Sequence, residues 1–388
     1  MRIREKRCRM KKRIIPVILT AAVTLCGCFD GNVTKRQVKQ EAVVACGKNI
    51  SDVIGDIMND FTVQSSATQV KLIELSDASR DLCQAYASIL SGREVQLDAM
   101  FLEDVWVDEF VNKGFLYPLD GSVTFDGKDF QPGISDFARV DGKLYWYPLI
   151  LDTGIMYYRK DITDGRLDYR RLSEQRDIKY AVQGSDGEEM ICCAMEFISL
   201  ADSVRNGLEL YKKAIEGAVV SDNPVTGFLN GDAAYVRAWA SENNSITKGY
   251  SPVTTQIGAR VLKKNDKESY ATARAYGIAV NAASGKTDNI KELLDYLSKD
   301  DVQIKIVKET NTMPLRWKDY KNPSVTYRLS YIDEMFPAFG NLNFRPKKSN
   351  YSYLSRQAGN ALSDYINGAG TLENAAETME KLLGKMSE

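Results

Sequence analysis

Seven aromatic residues stand at the ends of apolar runs or in the turns that follow them: Trp106, Tyr145, Trp146, Tyr147, Tyr157, Trp239 and Tyr276. Near them in the chain are the carboxylates Glu103, Asp104 and Asp152. Aromatic rings pack on the apolar C–H faces of sugar rings, while hydroxyl edges need carboxylates, amides or guanidinium groups. A site built to bond hydroxyls rejects analogues that lack them, because its polar groups would be stranded. Taken singly, each ring reads more readily as core than as ligand platform.

Other chemistry finds little support. There is no histidine among the 388 residues, which excludes Ser-His-Asp and Cys-His catalysis and every His-ligated metal. Ser284-Gly285-Lys286-Thr287 resembles a phosphate loop, but Val280 stands where the earlier glycine is required. A polar turn before a helix explains it better. Asp186–Glu189 lacks calcium-loop spacing and reads as solvated surface. Paired carboxylates can run glycoside chemistry, yet nothing in the spacing selects two of the many available. No catalytic residue, metal or cofactor is assigned.

The N-terminus carries a separate message. The first thirteen residues hold eight Lys/Arg against one Glu, and Ile14–Leu25 is mostly apolar. A basic run, a short apolar run and small residues make a secretory signal, too short to span a bilayer. Leu25-Cys26-Gly27-Cys28 has lipobox spacing, so residues 1–27 read as a lipoprotein signal and Cys28 as the diacylglycerol attachment site. Residues 28–40 read as a tether. Two acyl chains hold stably where one is marginal. Removing residues 1–27 leaves 43 basic against 51 acidic residues, a net charge of −8, which argues against nucleic acid as partner. Cys46, Cys83, Cys192 and Cys193 remain; buried thiols are the default, with a Cys46–Cys83 bridge as the alternative.

The elements follow from periodicity. Ala42–Cys46 reads as a buried strand, Ile50–Phe61 as a helix, Val70–Leu75 as a strand, Leu82–Leu90 as a helix and Leu97–Leu102 as a strand. This alternation predicts βαβ units and a mainly parallel sheet, with ligands beyond the strand ends. The loops at Ser76–Arg80 and Glu103–Trp106 are therefore pocket candidates. Asp141-Gly142-Lys143 reads as a turn into a strand over Leu144–Leu149, and Ile155–Tyr158 as a second strand. Ile150–Gly154 between them is a crossover. Helices are expected at 195–215, 288–298, 354–366 and 372–383, the last capped by Thr371.

Residues 98–160 contain DAMFLEDVWVDEFVNKGFLYPLD and FQPGISDFARVDGKLYWYPLILDTGIMYYRKD. This block resembles the extracellular solute-binding proteins of ABC importers, in particular the maltose/trehalose-type group. Phe228–Trp239 (FLNGDAAYVRAW), Tyr276–Ala283 (YGIAVNAA), Met313-Pro314 and Phe344-Arg345-Pro346 follow in the family's order. The resemblance implies an α/β, two-lobed periplasmic-binding-protein-like fold of class II type with an interlobe ligand cleft. One lobe would take about 41–149 with 270–310, the other about 155–265 with 311–388. It implies a sugar pocket in which Glu103 and Asp152 accept hydrogen bonds, Arg345 donates them, Trp239 and Tyr276 stack, and Trp106 contributes. It further implies a non-catalytic, monomeric receptor that delivers an oligosaccharide to ABC permease subunits. The lipobox would place it on the outer face of a Gram-positive cytoplasmic membrane. Glu103 stands where the family usually has Asp, Ile150 where an aromatic is common, and 161–190 is short. Those departures leave the sugar's size open, and keep two other readings: a sensory lipoprotein or a surface glycan-active enzyme.

Overall fold

The computed structural model describes residues 38–384, apart from 77–78, 93–95, 166–178, 185–186, 222, 249–250, 252, 261–262, 266–267, 270, 330–331 and 333–341. The signal, Cys28 and most of the tether expected from the sequence lie outside the described residues, as does the centre of 161–190.

β1 (Gln40–Gly47), α1 (Lys48–Gln64), β2 (Thr68–Leu75), α2 (Ser79–Ser91) and β3 (Ala99–Glu103) realise the alternation read from the sequence. β1 lies parallel to both β2 and β3. The stripe on α1 buries Ile54, Ile57, Met58 and Phe61. α3 (Val107–Asn112) and α4 (Pro132–Ala138) come next, then the hairpin β4 (Arg139–Val140) and β5 (Lys143–Leu144). Its turn has Asp141 at φ 48° and Gly142 at φ 79°, the primed geometry that an Asp-Gly pair favours.

Two strands and a crossover were expected over 144–158. The structure has one strand, β6 (Trp146–Arg159), buried along all but its last residue. Burial on both faces explains the difference: a run without polar alternation gives no sign of where a strand leaves one environment and enters another. β7 (Tyr180–Gln183), α5 (Gly187–Leu200), α6 (Val204–Ile215), β8 (Val219–Ser221), α7 (Pro224–Asn230), β9 (Tyr235–Trp239), α8 (Asn243–Lys248) and β10 (Ile257–Arg260) follow. The single helix expected at 195–215 is two. The break falls at Ser203, whose side chain accepts the Asn206 N–H at 3.2 Å and starts α6. After the hairpin β11 (Lys263–Asn265) and β12 (Glu268–Ser269) come β13 (Thr272–Val280), α9 (Thr287–Leu297), α10 (Asp300–Thr310), α11 (Pro323–Arg328), β14 (Asn343–Phe344), α12 (Tyr351–Ile366) and α13 (Leu372–Leu383). Thr371 caps α13 as expected, accepting the Asn374 N–H at 3.2 Å.

The main sheet runs β2-β1-β3-β13-β6-β9-β7-β8, with β10 beside β6 and β14 beside β13. It is mixed rather than mainly parallel. The β1, β2, β3 set and the β7, β8, β9 set are internally parallel, whereas β13 is antiparallel to β3 and β6, and β6 to β9. α1, α9 and α10 pack around the first set, while α5, α6, α12 and α13 pack on one another around the second. Among the described residues no helix is long and apolar enough to cross a membrane. Cys46, Cys83, Cys192 and Cys193 are buried free thiols, so the alternative bridge does not form.

β6 and β13 meet at an irregularity. Tyr276 pairs with Ile150 and Gly277 with Pro148, which leaves Leu149 as an extra residue on β6. Pro148 has no N–H for a ladder, and a bulge is where a strand tolerates it. A Cβ on Gly277 would meet the Tyr147 carbonyl oxygen and come within 2.5 Å of the Trp146 ring. Gly277→Ala is therefore expected to lower the unfolding free energy by about 1–3 kcal/mol, read as a fall in the urea midpoint with unchanged slope.

Candidate functional site

Strand alternation assembles the site. On β9 the triplet is Arg237-Ala238-Trp239, on β13 Arg274-Ala275-Tyr276, and each arginine shares a strand face with the aromatic two residues on. β6 lies between them. Asp152 sits directly opposite Arg274, Ile150 opposite Tyr276 and Gly154 opposite Trp239. Gly154 has a steric reason: a Cβ there would lie 2.5 Å from Glu196 Oε1 and 2.7 Å from Arg237 Nη2. The missing side chain leaves room for the Arg237 guanidinium to cross to Glu196.

This face forms one wall of a cavity of about 670 Å³, and the N-terminal turn of α1, with Lys48 and Asn49, also lines it. Asp152, Trp239 and Tyr276, all expected in the site, line it together. Asp152 accepts from the Ser241 N–H (3.1 Å), the Ser241 hydroxyl (2.7 Å) and Arg274 Nη2 (3.3 Å). The Tyr276 hydroxyl accepts from Asn49 Nδ2 at 3.2 Å. Trp239 is held on several sides. Its Nε1–H donates to both Glu189 oxygens at 2.7 and 2.9 Å, and its backbone N–H donates to Glu242 at 2.8 Å. Two guanidiniums, Arg237 and Arg274, lie 4.0 and 3.7 Å from its ring centroid. In this conformation Trp239 is 5 % exposed and presents no open face for stacking.

The other expected residues lie elsewhere. Arg345 is 2 % exposed and surrounded by three carboxylates, with Nη1 at 2.8 Å from Glu103 and 2.9 Å from Glu188, and Nη2 at 2.8 Å from Asp104. Neither Arg345 nor Glu103 lines the large cavity. Trp106 is buried and lines a second cavity, of about 490 Å³, with Glu188, Cys83 and residues of α12. Trp146, Tyr147 and Tyr157 are core, and Trp146 Nε1–H donates to the Leu102 carbonyl at 3.2 Å.

Sequence reasoning missed Arg274, Arg237, Ser241, Glu242 and Glu189. A signal was available for the arginines, since a charge inside an apolar strand, two residues before an aromatic, marks a polar face. The acidic run at 186–189 was expected on the surface. Instead Glu188 and Glu189 are partly buried and hold Arg345 and Arg274. Both lie in the first turn of α5, and a helix N-terminus favours negative charge. The Ser284–Thr287 turn does precede a helix as expected. Ser284 and Lys286 bond the buried Asp98 at 2.7 and 3.2 Å, a structural use.

The electrostatics separate the two networks. Burial pushes the Asp104 carboxyl up to about 6, with Glu103 adding to the rise and Arg345 opposing it. Glu188 is also raised by burial, against Arg345 and the Tyr351 hydroxyl. In the large cavity Glu242 is raised by burial and by the nearby Glu189 and Asp152. Cys193, which lines the same cavity, has its thiol pushed up to about 12 by burial.

Two measurements test the Arg345 network. Arg345→Ala strands three buried carboxylates and is expected to cost about 3–5 kcal/mol of stability, read by urea unfolding. Asp104 gives a pH signature. Its folded-state pKa near 6 exceeds the unfolded value of 3.8, so the native state binds more protons between those values. Its contribution to stability therefore rises as pH falls through 6. The stability of wild type minus that of Asp104→Asn should grow from pH 7 to pH 4; a flat difference would contradict it.

Comparison with known proteins gives this geometry a family. The family described as "Bacterial extracellular solute-binding protein" matches residues 68–304. A probable ABC transporter-binding protein of Deinococcus radiodurans is 22% identical over 375 residues, covering 84% of this chain and 89% of its own. Maltose-bound MalE3 of T. maritima superposes with a TM-score of 0.75 at 20% identity, covering 89% of this chain and 99% of that one. The GacH receptor of Streptomyces glaucescens, solved unliganded and with acarbose, gives 0.76 at 17% identity, covering 90% and 100%. At these identities the structural likeness shows the fold, which is the two-lobed α/β architecture expected from the sequence. With more than half of its length matched, the chain belongs to the bacterial extracellular solute-binding proteins.

Proposed function

We propose that this protein is a non-catalytic receptor that captures a saccharide, an oligosaccharide by preference, in the large cavity and delivers it to the membrane subunits of an ABC importer. The observation that carries the reading is the wall formed by β6, β9 and β13. It brings Asp152, Trp239 and Tyr276 into one 670 Å³ space, with Ser241 and Asn49 among its polar groups. That volume suits a small ligand, and a few convergent polar groups would fix its orientation. Capture without chemistry fits the one cysteine among the described lining residues, Cys193: a thiol near 12 is not a nucleophile at neutral pH.

The two lobes are read as about 41–149 with 270–310, and about 155–265 with 311–388. The hinge lies where β6 and β13 pass between them, and closure there would bury the ligand. Glu103 and Arg345 then act as a brace beside the ligand rather than as its contacts, and Trp106 belongs to the second cavity. Cys28 carries the lipid that holds the monomer on the outer face of a Gram-positive cytoplasmic membrane. The basic n-region, the apolar run and the Leu25–Cys28 spacing support this.

The test is thermal unfolding of the chain from residue 30 onward against a panel of mono- and oligosaccharides. A ligand at 1,000 times its Kd adds about 4 kcal/mol, a clear rise in Tm. Asp152→Asn should weaken the same ligand by at least about tenfold, the scale of one hydrogen bond to a charged group, with the far-UV spectrum unchanged. No rise with any saccharide would overturn the reading.

A further inference from the structure

The Arg274 guanidinium lies over the Trp239 ring and between two carboxylates. Its carbon is 3.7 Å from the Trp239 ring centroid and 5.6 Å from that of Tyr276. Nη1 donates to Glu189 at 2.9 Å and Nη2 to Asp152 at 3.3 Å, while Nε is buried without a hydrogen-bond partner. An indole face flanked by carboxylates is a recurring receptacle for ammonium and guanidinium groups. Here the protein's own side chain fills it, 15 % exposed and beside 670 Å³ of open space.

Arg274 does not balance its surroundings. Among the described residues lining the cavity there are five carboxylates against three cations. Arg237 is held mainly by Glu196 behind the wall, at 3.0 and 3.2 Å, and reaches Glu189 only at 3.7 Å, farther than Arg274 does. Around Arg274 stand Asp152, Glu189 and Glu242; burial raises the Glu242 carboxyl, Glu189 and Asp152 add to the rise, and Arg274 opposes it.

We propose that the ligand of this cavity carries a positively charged nitrogen, as an amino-substituted saccharide does, and that this group takes the place of Arg274 on Trp239, Glu189 and Asp152. A neutral ring stacking on Trp239 must strip the guanidinium from the indole and leave the carboxylates short of a cation in a partly dry site, which is costly. A cationic nitrogen replaces charge with charge. The displaced Arg274, on its long flexible stem, then turns its donors toward ligand hydroxyls. Anionic saccharides are repelled by the same carboxylates. The inference deepens the saccharide reading and rests on it.

Calorimetric titration of wild-type protein tests it with a panel in which each saccharide is offered as free amine, as N-acetyl derivative and as uronate. The amine should bind at least about tenfold tighter than its N-acetyl form, the uronate should not bind, and the preference should shrink as salt rises from 50 to 500 mM. Arg274→Met removes the resident cation, so the amine should gain affinity relative to the neutral form. Equal binding of amine and N-acetyl forms, or an Arg274→Met variant that weakens both in parallel, overturns the inference. Silence of every saccharide overturns the saccharide reading instead. The charge inference is then read from putrescine and agmatine against succinate: a rise in Tm with the diamines alone supports it, and no rise overturns it.

Discussion

The antiparallel ladder between β6 and β13 is the constraint on which this molecule depends. The two strands run side by side through the middle of the main sheet, β13 joined to β3 on its other edge and β6 joined to β9. Their register decides which residues share a face. One residue of slip would move Asp152 and Arg274 off the face they share with Trp239, since strand alternation has a period of two. Several features pin that register. The Leu149 bulge takes up the misfit at Pro148, Gly277 admits the Trp146 ring, and the Met313 N–H donates to the Leu151 carbonyl at 2.8 Å.

Two arginines show how differently one side chain can be used in such a frame. Arg345 is enclosed, with carboxylates of β3, the turn after it and α5 around its guanidinium. Removing one partner from a buried cluster costs more than the cluster contributes net, because the groups left behind have lost water as well. It is therefore a brace. Arg274 also meets two carboxylates, but from the edge of a cavity, with a bare Nε and a ring below it. It borders open space, unlike Arg345, so another cation could exchange for it without opening the core.

Much of this was legible in the sequence. α1, α2, α9, α12 and α13 follow from apolar period and capping, because each buries one face and exposes the other, while β1 and β3 follow from short apolar runs that are buried. Asp152, Trp239 and Tyr276 were found through family resemblance and do share one cavity. What escaped was long-range. Burial on both faces hid the continuity of β6. A sheet parallel at its flanks gives no local sign that its centre is antiparallel. Nothing near Phe344-Arg345-Pro346 in the chain shows that Glu103, Asp104 and Glu188 surround Arg345. The acidic stretch that opens α5 looked solvated for the same reason, its cationic partners Arg237, Arg274 and Arg345 being distant in the chain.

That stretch ties the two networks together. Glu188 and Glu189 are consecutive, about 100° apart around the helix axis, so they face different ways. Glu188 turns to Arg345 and to the Tyr351 hydroxyl at 2.5 Å, on the side of the smaller cavity; Glu189 turns to Trp239 and Arg274, on the side of the larger. The first turn of α5 is thus the partition between the cavities, and the positive end of the helix dipole makes it a favourable place for two carboxylates. Because Glu188 is anchored to the enclosed cluster, the helix end stays in position when the bonds of Glu189 are exchanged. A rearrangement on the ligand side can therefore proceed without loosening the brace on the other, which is what a site needs if it is to bind and release its ligand on an unchanged scaffold.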